Sequence, residues 1–220
     1  MSRAFLTTYR PLCLTQAGQH AAVRHNLMPF VDGSCRREPD LEATLPSITA
    51  LCRGGLFAPR LAVGDRVAYI TKKGPYGIGA RHWRLTALLQ VVERFETHNA
   101  DAAWYRQRGL AVPRNCIVHG NSPVPLECTD GEVPSDLRAR LNILRPDQIV
   151  RLWDARYAKR AKEHGVVLAC EAIYRELTKP PKIYEQDWIG WVGRVPVTRN
   201  PPKITQRLWS QIEHVTRRSS

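Results

Sequence analysis

The chain predicts an α+β fold: a β-rich block over residues 1–128, followed by a mainly helical, basic extension over 129–220. Two observations carry that division. Residues 3–9, 66–71 and 83–95 are rich in β-branched and aromatic side chains, and the last two are entered through glycine turns. Past Thr129-Asp130-Gly131 the apolar spacing becomes helical. The matching breakers Lys179-Pro180-Pro181-Lys182 and Asn200-Pro201-Pro202-Lys203 divide that extension.

Taken in order, Ala4, Leu6 and Thr8 alternate against Phe5, Thr7 and Tyr9, the pattern of a first strand. Gln16 to Asn26 suits a short helix, weakened by Gly18. A charged turn follows, Asp32 to Asp40. Leu45 to Arg53 predicts a short helix with proline in its first turn and Gly54-Gly55 closing it. Leu61 to Asp65 is a tight turn feeding the strand Arg66 to Thr71. Lys72 to Gly79 is a basic, glycine-rich loop, and Trp83 to Phe95 is the longest strand, with Leu85, Ala87, Leu89 and Val91 on one face. A helix competes for this run, since leucine and alanine favour one, but the glycine-rich loop before it and Val91-Val92 within it favour the strand. His98 to Arg108 is a helix with Asn99 as cap and Gly109 as stop, and Asn115 to Val118 a further short strand. In the extension, Pro146 to Lys162 is a helix with Ile149, Leu152, Trp153 and Arg156 on neighbouring faces. A last helix from about Lys203 to Val215 carries Ile204, Leu208, Ile212 and Val215. Trp153, Trp188, Trp191 and Trp209 are assigned to core, or to docking of the extension on the β block.

At 220 residues the chain can bury a substantial core, and 43% hydrophobic with 24% charged residues is the balance of a globular protein. No apolar run reaches the roughly 18 residues of a membrane span, so no membrane partner is expected. The opening residues are too short and polar for an export signal, which points to a cytoplasmic protein. A formal charge of +13 favours polyanionic partners. The six cysteines form no Cys-x-x-Cys pair, and His20 and His25 lie five residues apart, off a common helical face, so no metal and no other cofactor is expected.

The candidate site starts from Asp32-Gly33-Ser34-Cys35-Arg36-Arg37-Glu38. Paired arginines grip phosphate or carboxylate, and Ser34 with main-chain amides can complete a cradle. An internal salt-bridge cluster, pairing Arg36 or Arg37 with Asp32, Glu38 or Asp40, is the structural alternative. Lys72 and Lys73 suit backbone phosphate, Arg53 beside Gly54-Gly55 can join that surface from the end of the short helix, and Trp83 with Arg84 offers a face for a base. The alternative there is a solvated hairpin tip. Trp104, with Asn115 downstream, combines an aromatic wall and an amide able to read a base edge, unless Trp104 is core. Ser34 or Cys35 with His98 or His119 is a weaker nucleophile arrangement. No P-loop, dinucleotide fingerprint or kinase signature is present.

The block from Gly64-Asp65-Arg66-Val67 through Leu85-Thr86-Ala87-Leu88-Leu89-Gln90-Val91 to Phe95 resembles the PUA-like superfamily, which includes EVE, ASCH and YTH domains. Asp32-Gly33-Ser34-Cys35-Arg36 with Cys52-Arg53 is similar to nucleotide-modification-associated domains. The resemblance covers about residues 1–128 and implies a curved β-barrel with flanking helices, whose cleft binds RNA, DNA or a modified base. It carries over neither a YTH-type aromatic cage nor the lysine-based set of hydrolytic ASCH proteins. The expected function is therefore binding of nucleic acid or of a nucleotide, including a modified base. Two alternatives stand beside it: a nucleotide- or base-modifying enzyme centred on the Asp32–Glu38 turn, and a basic module whose C-terminal extension docks a protein partner.

Overall fold

The first strand forms as β1 (Ala4–Tyr9). The computed structural model describes residues 2–217. Helix α1 (Gln16–Arg24) is capped by Thr15, whose hydroxyl accepts the Gly18 N–H. β2 (Ser47–Thr49), β3 (Arg66–Thr71) and β4 (Trp83–Phe95) follow. Next come the helices α2 (His98–Gln107), α3 (Ser135–Arg138) and α4 (Pro146–Glu163). The chain ends through β5 (Val167–Arg175), β6 (Lys182–Ile183), α5 (Glu185–Val192), β7 (Lys203–Ile204) and α6 (Gln206–Thr216).

The strands form one mixed sheet in the order β2-β5-β4-β3-β1-β7, with β6 also beside β4. β1 and β3 run parallel over six residue pairs, and the other pairings are antiparallel. The fold is α+β, as expected, but the sheet stays open. Its edges, β2 and β7, are three and two residues long, too little strand to meet and close a barrel.

Each face of the sheet has its own core. Phe5, Tyr9, Val67, Tyr69, Leu89 and Val91 point to one side, where α1 contributes Ala21 and Ala22. Ala4, Leu6, Ala68, Ile70, Leu85 and Leu88 point to the other, covered by Trp188 of α5 and by Leu208, Trp209, Ile212 and Val215 of α6. The tryptophans Trp153, Trp188 and Trp209 are core residues, as the sequence predicted. A third cluster joins Ile149, Val150, Trp153 and Tyr157 of α4 to Cys35 and Leu51.

Several local expectations are corrected. Leu85 does not share a face with Ala87. Register shifts at Tyr69/Ile70, leaving Thr86 unmatched on β4, and this bulge turns Leu85 to the opposite core. Residues 45–53 form no helix, because the β-branched Ile48 and Thr49 pair with Leu168 and Val167 of β5. Residues 115–118 are loop: Cys116 N–H closes a turn on Pro113 O, and Asn115 turns inward. Thr97, not Asn99, caps α2. On α4, Tyr157 is buried and Leu152 is partly exposed. The extension carries more helix than strand, as expected, but it is not packed on a separate block. Its β5 lies inside the sheet between β2 and β4, so residues 129–220 and 1–128 share one set of backbone hydrogen bonds. No helix among the described residues is long and apolar enough to cross a membrane.

Candidate functional site

A cavity of about 680 Å³ opens where β1 and β3 end side by side. Thr8 and Tyr9 come from the end of β1, and Lys72 and Lys73 directly follow β3. The 32–39 turn, Thr49 of β2, Arg53, and Trp153 with Tyr157 of α4 complete much of the wall. The volume lies in the range of small-molecule sites, roughly 300–1,000 Å³.

Asp32 organises the charged turn. Its Oδ1 accepts the Ser34 N–H at 2.9 Å, the Ser34 hydroxyl at 2.5 Å and the Glu38 N–H at 3.0 Å. This is the local side-chain bonding that makes aspartate a turn former. Gly33 is needed within it, since a Cβ there would lie 2.6 Å from Asp130 Cγ. Glu38 accepts the Thr49 N–H at 3.0 Å, the Thr49 hydroxyl, and the Asn115 amide at 2.9 Å. Both carboxyls are buried. Burial pushes Asp32 up to about 7 against the pull of its hydrogen bonds. Burial likewise pushes Glu38 up to about 8, with the Asp32 charge adding to the rise. The cavity thus holds two carboxyls able to carry a proton near neutral pH.

The cations divide into neutralised and open. Arg10 bonds Asp130 at 2.7 Å and Glu132 at 3.4 Å, and Lys73 bonds Glu185 at 2.5 Å while standing 5.0 Å over the Trp83 ring. Arg53 is different. Its guanidinium donates to the carbonyls of Thr8, Thr198 and Arg199 and meets no carboxylate among the described residues. Lys72 is exposed and Arg199 is exposed, and neither forms an ion pair among the described residues. Tyr9, Phe57, Tyr69, Trp83, Trp153 and Tyr157 supply ring surface. Trp153 and Tyr157 lie nearly parallel with centroids 6.4 Å apart.

Seven of the twelve residues expected at the site from sequence line this cavity: Asp32, Ser34, Glu38, Arg53, Lys72, Lys73 and Trp83. The arginine pair does not. Arg36 is buried, bonds both oxygens of Asp154 at 2.5 and 2.8 Å, and donates to the carbonyls of Arg114 and Asn121. Arg37 has a left-handed backbone (φ 50°), which is uncommon for a residue with a Cβ. It donates to the carbonyls of Asp32 and Cys128 and pairs with Glu42 at 3.3 Å. Both are structural, the salt-bridge alternative, although with Asp154 and Glu42 rather than the acids adjacent in sequence. Arg84 is tied to the carbonyls of Tyr76 and Pro180. Trp104 packs on Phe95 and under Arg108, away from the cavity. Asn115 stands behind the wall and holds Glu38. The nucleophile arrangement of Cys35 with a histidine does not form: Cys35 is buried, its thiol pushed up by burial, and His98 Nδ1 accepts the Ile117 N–H.

Thr49, Tyr157 and Arg199 were not anticipated. The Trp153/Tyr157 pair, four apart on a helix, was the available signal. Nothing local in sequence marks Thr49 or Arg199, which reach the cavity through pairing of β2 and the turn after α5. In comparisons with known proteins, no family model, no curated protein and no solved structure matches the chain.

The arrangement can do two things chemically. Ring surface with an open, fixed guanidinium can hold a flat group attached to an anion. Two carboxyls that carry protons near neutrality can donate to or accept from polar edges of that group.

Proposed function

We propose that the protein binds a nucleotide unit, with the base in the aromatic-lined cavity and its phosphate at Arg53 and Lys72. The observation that carries this reading is Arg53, held by three carbonyls with no acid to answer its charge among the described residues, in the wall of a cavity that aromatic rings also line. Arg36 and Arg37 each meet an acid, and Arg84, which like Arg53 bonds only carbonyls, does not line the cavity as Arg53 does. Asp32 and Glu38, in the cavity lining, read the polar edge of the base by hydrogen bonding, which suits a modified base as well as an ordinary one. The PUA-like resemblance belongs to the same proposal. It is supported by the Gly64-Asp65 turn into β3 and by the long β4, whereas the open sheet departs from the barrel it implies.

The test is equilibrium binding of nucleoside 5′-monophosphates and of short DNA and RNA strands, with nucleotide integrity followed in parallel. Binding that weakens steeply with salt, that Lys72→Gln reduces and that leaves the nucleotides intact supports the reading. No binding of any of these probes at low salt overturns it.

A second reading, a nucleotide- or base-modifying enzyme, is favoured by one observation: two buried carboxyls with proton affinities raised to about 7 and about 8 share the cavity. Perturbed groups of this kind cluster at catalytic sites. Consumption of a nucleotide that Glu38→Gln abolishes, with the fold intact, would favour the enzyme.

A further inference from the structure

A second hollow, of about 450 Å³, adjoins the first, and the two share Cys52, Arg53 and Arg199. Arg53 therefore stands on the partition between them. On the far side lies Arg160, whose guanidinium donates to Leu51 O at 2.6 Å and forms no ion pair among the described residues. Beside it, the His164 ring lies against the backbone of Gly54, so closely that a Cβ on Gly54 would sit 3.0 Å from its Nε2. Leu56, 55% exposed, supplies apolar surface at the edge. Glu163 is the acid of this hollow and bonds none of these cations among the described residues.

The two hollows are joined across a fixed cation: ring surface lies in the first, and Arg160, His164, Glu163 and the apolar Leu56 lie in the second. A nucleoside monophosphate fills only the first. Two phosphates in line fill both, and they occur as neighbouring phosphodiesters of a strand or as the phosphate chain of a nucleoside triphosphate. Leu56 favours the strand, because a strand brings the apolar face of a second base to cover that edge and a triphosphate brings none. We propose that the bound nucleotide is part of a single-stranded polynucleotide, whose neighbouring phosphate lies between Arg160 and His164 in the second hollow. The proposal rests on the nucleotide-binding reading and adds the form in which the nucleotide arrives.

The experiment compares, by competition at fixed salt, labelled single strands of about 12 nucleotides in DNA and RNA form with nucleoside 5′-mono- and triphosphates. The strand is expected to bind about tenfold or more tighter than any mononucleotide. Arg160→Gln is expected to weaken strand binding several-fold and to flatten its salt dependence by about 0.7 in slope. Monophosphate binding should be unchanged, because Arg160 touches only the second hollow. His164→Gln is a second variant, and thermal unfolding confirms that both are folded. A triphosphate that competes as well as the strand overturns the proposal, as does strand binding that neither variant alters. Monophosphate binding with no gain for the strand overturns this proposal alone. Absence of all nucleotide binding overturns the proposed function with it.

Discussion

Asp32 accepts three hydrogen bonds, and all of them fall on Oδ1. That oxygen shapes the turn, while burial raises the proton affinity of the whole carboxyl to about 7. Glu38, raised to about 8, is bonded at both oxygens. The folded state of each therefore favours the proton more than the unfolded chain does. Their stabilising effect is complete below the unfolded carboxyl value near 4 and is lost as pH rises through the folded values, about 7 and about 8. Asp32→Asn is accordingly expected to gain stability relative to the native protein between about pH 5 and about pH 8, measured by urea unfolding at both. A pH-independent difference would contradict the raised proton affinity. Nucleotide affinity is expected to fall over the same window, because each ionisation adds negative charge beside an anionic ligand. Arg36 tests the opposite kind of residue. Its removal in Arg36→Ala leaves Asp154 without its partner and is expected to cost about 3–5 kcal/mol in unfolding free energy. Loss of binding without loss of stability would instead return Arg36 to the site.

At the scale of elements, what was legible depended on where the stabilising partner lies. α6 was readable because the spacing of Leu208, Ile212 and Val215 is a property of the helix itself, and all three are buried. Trp209 joins them at 1% exposure, with the Arg66 guanidinium 4.6 Å over its ring. Trp209→Ala is expected to destabilise by about 3–5 kcal/mol, read from chemical denaturation, since the sheet beneath cannot collapse into the space. A cost under about 1 kcal/mol would show that α6 is not part of the core. β2 and β5 were not readable, although Val167 and Ile173 are β-branched. β2 is a strand because of β5, and β5 because of β2 and β4, and those pairings join residues 72 to 122 positions apart. The Thr86 bulge is similarly invisible in an alternating run, for alternation says nothing about where a partner skips a residue. The same limit governs the site. The 32–38 turn announced itself through composition, and its carboxyls do line the cavity. Its arginines did not, because Asp154, the acid that neutralises Arg36, arrives from α4.

For the molecule as a whole, the decisive fact is that β5 sits between β2 and β4. The boundary suggested near residue 129 divides the chain by pattern but not by hydrogen bonding. A fragment of residues 1–128 would keep β1, β3 and β4 but lose the strand that pairs with β4 from Ala87 to Phe95. It would also leave β2 without its strand partner and expose Leu85, Leu88, Ala68 and Ile70 where α5 and α6 now cover them. An unpaired central strand with an uncovered apolar face is an aggregation surface. The cavity would lose Trp153, Tyr157 and Arg199 as well. Residues 1–128 produced alone are therefore expected to be unfolded or aggregated, with no protected amides in β4 by hydrogen exchange and no cooperative thermal transition. A monomeric, cooperatively folding fragment would mean that β5 only docks onto a finished sheet, and that the N-terminal block is a domain in its own right.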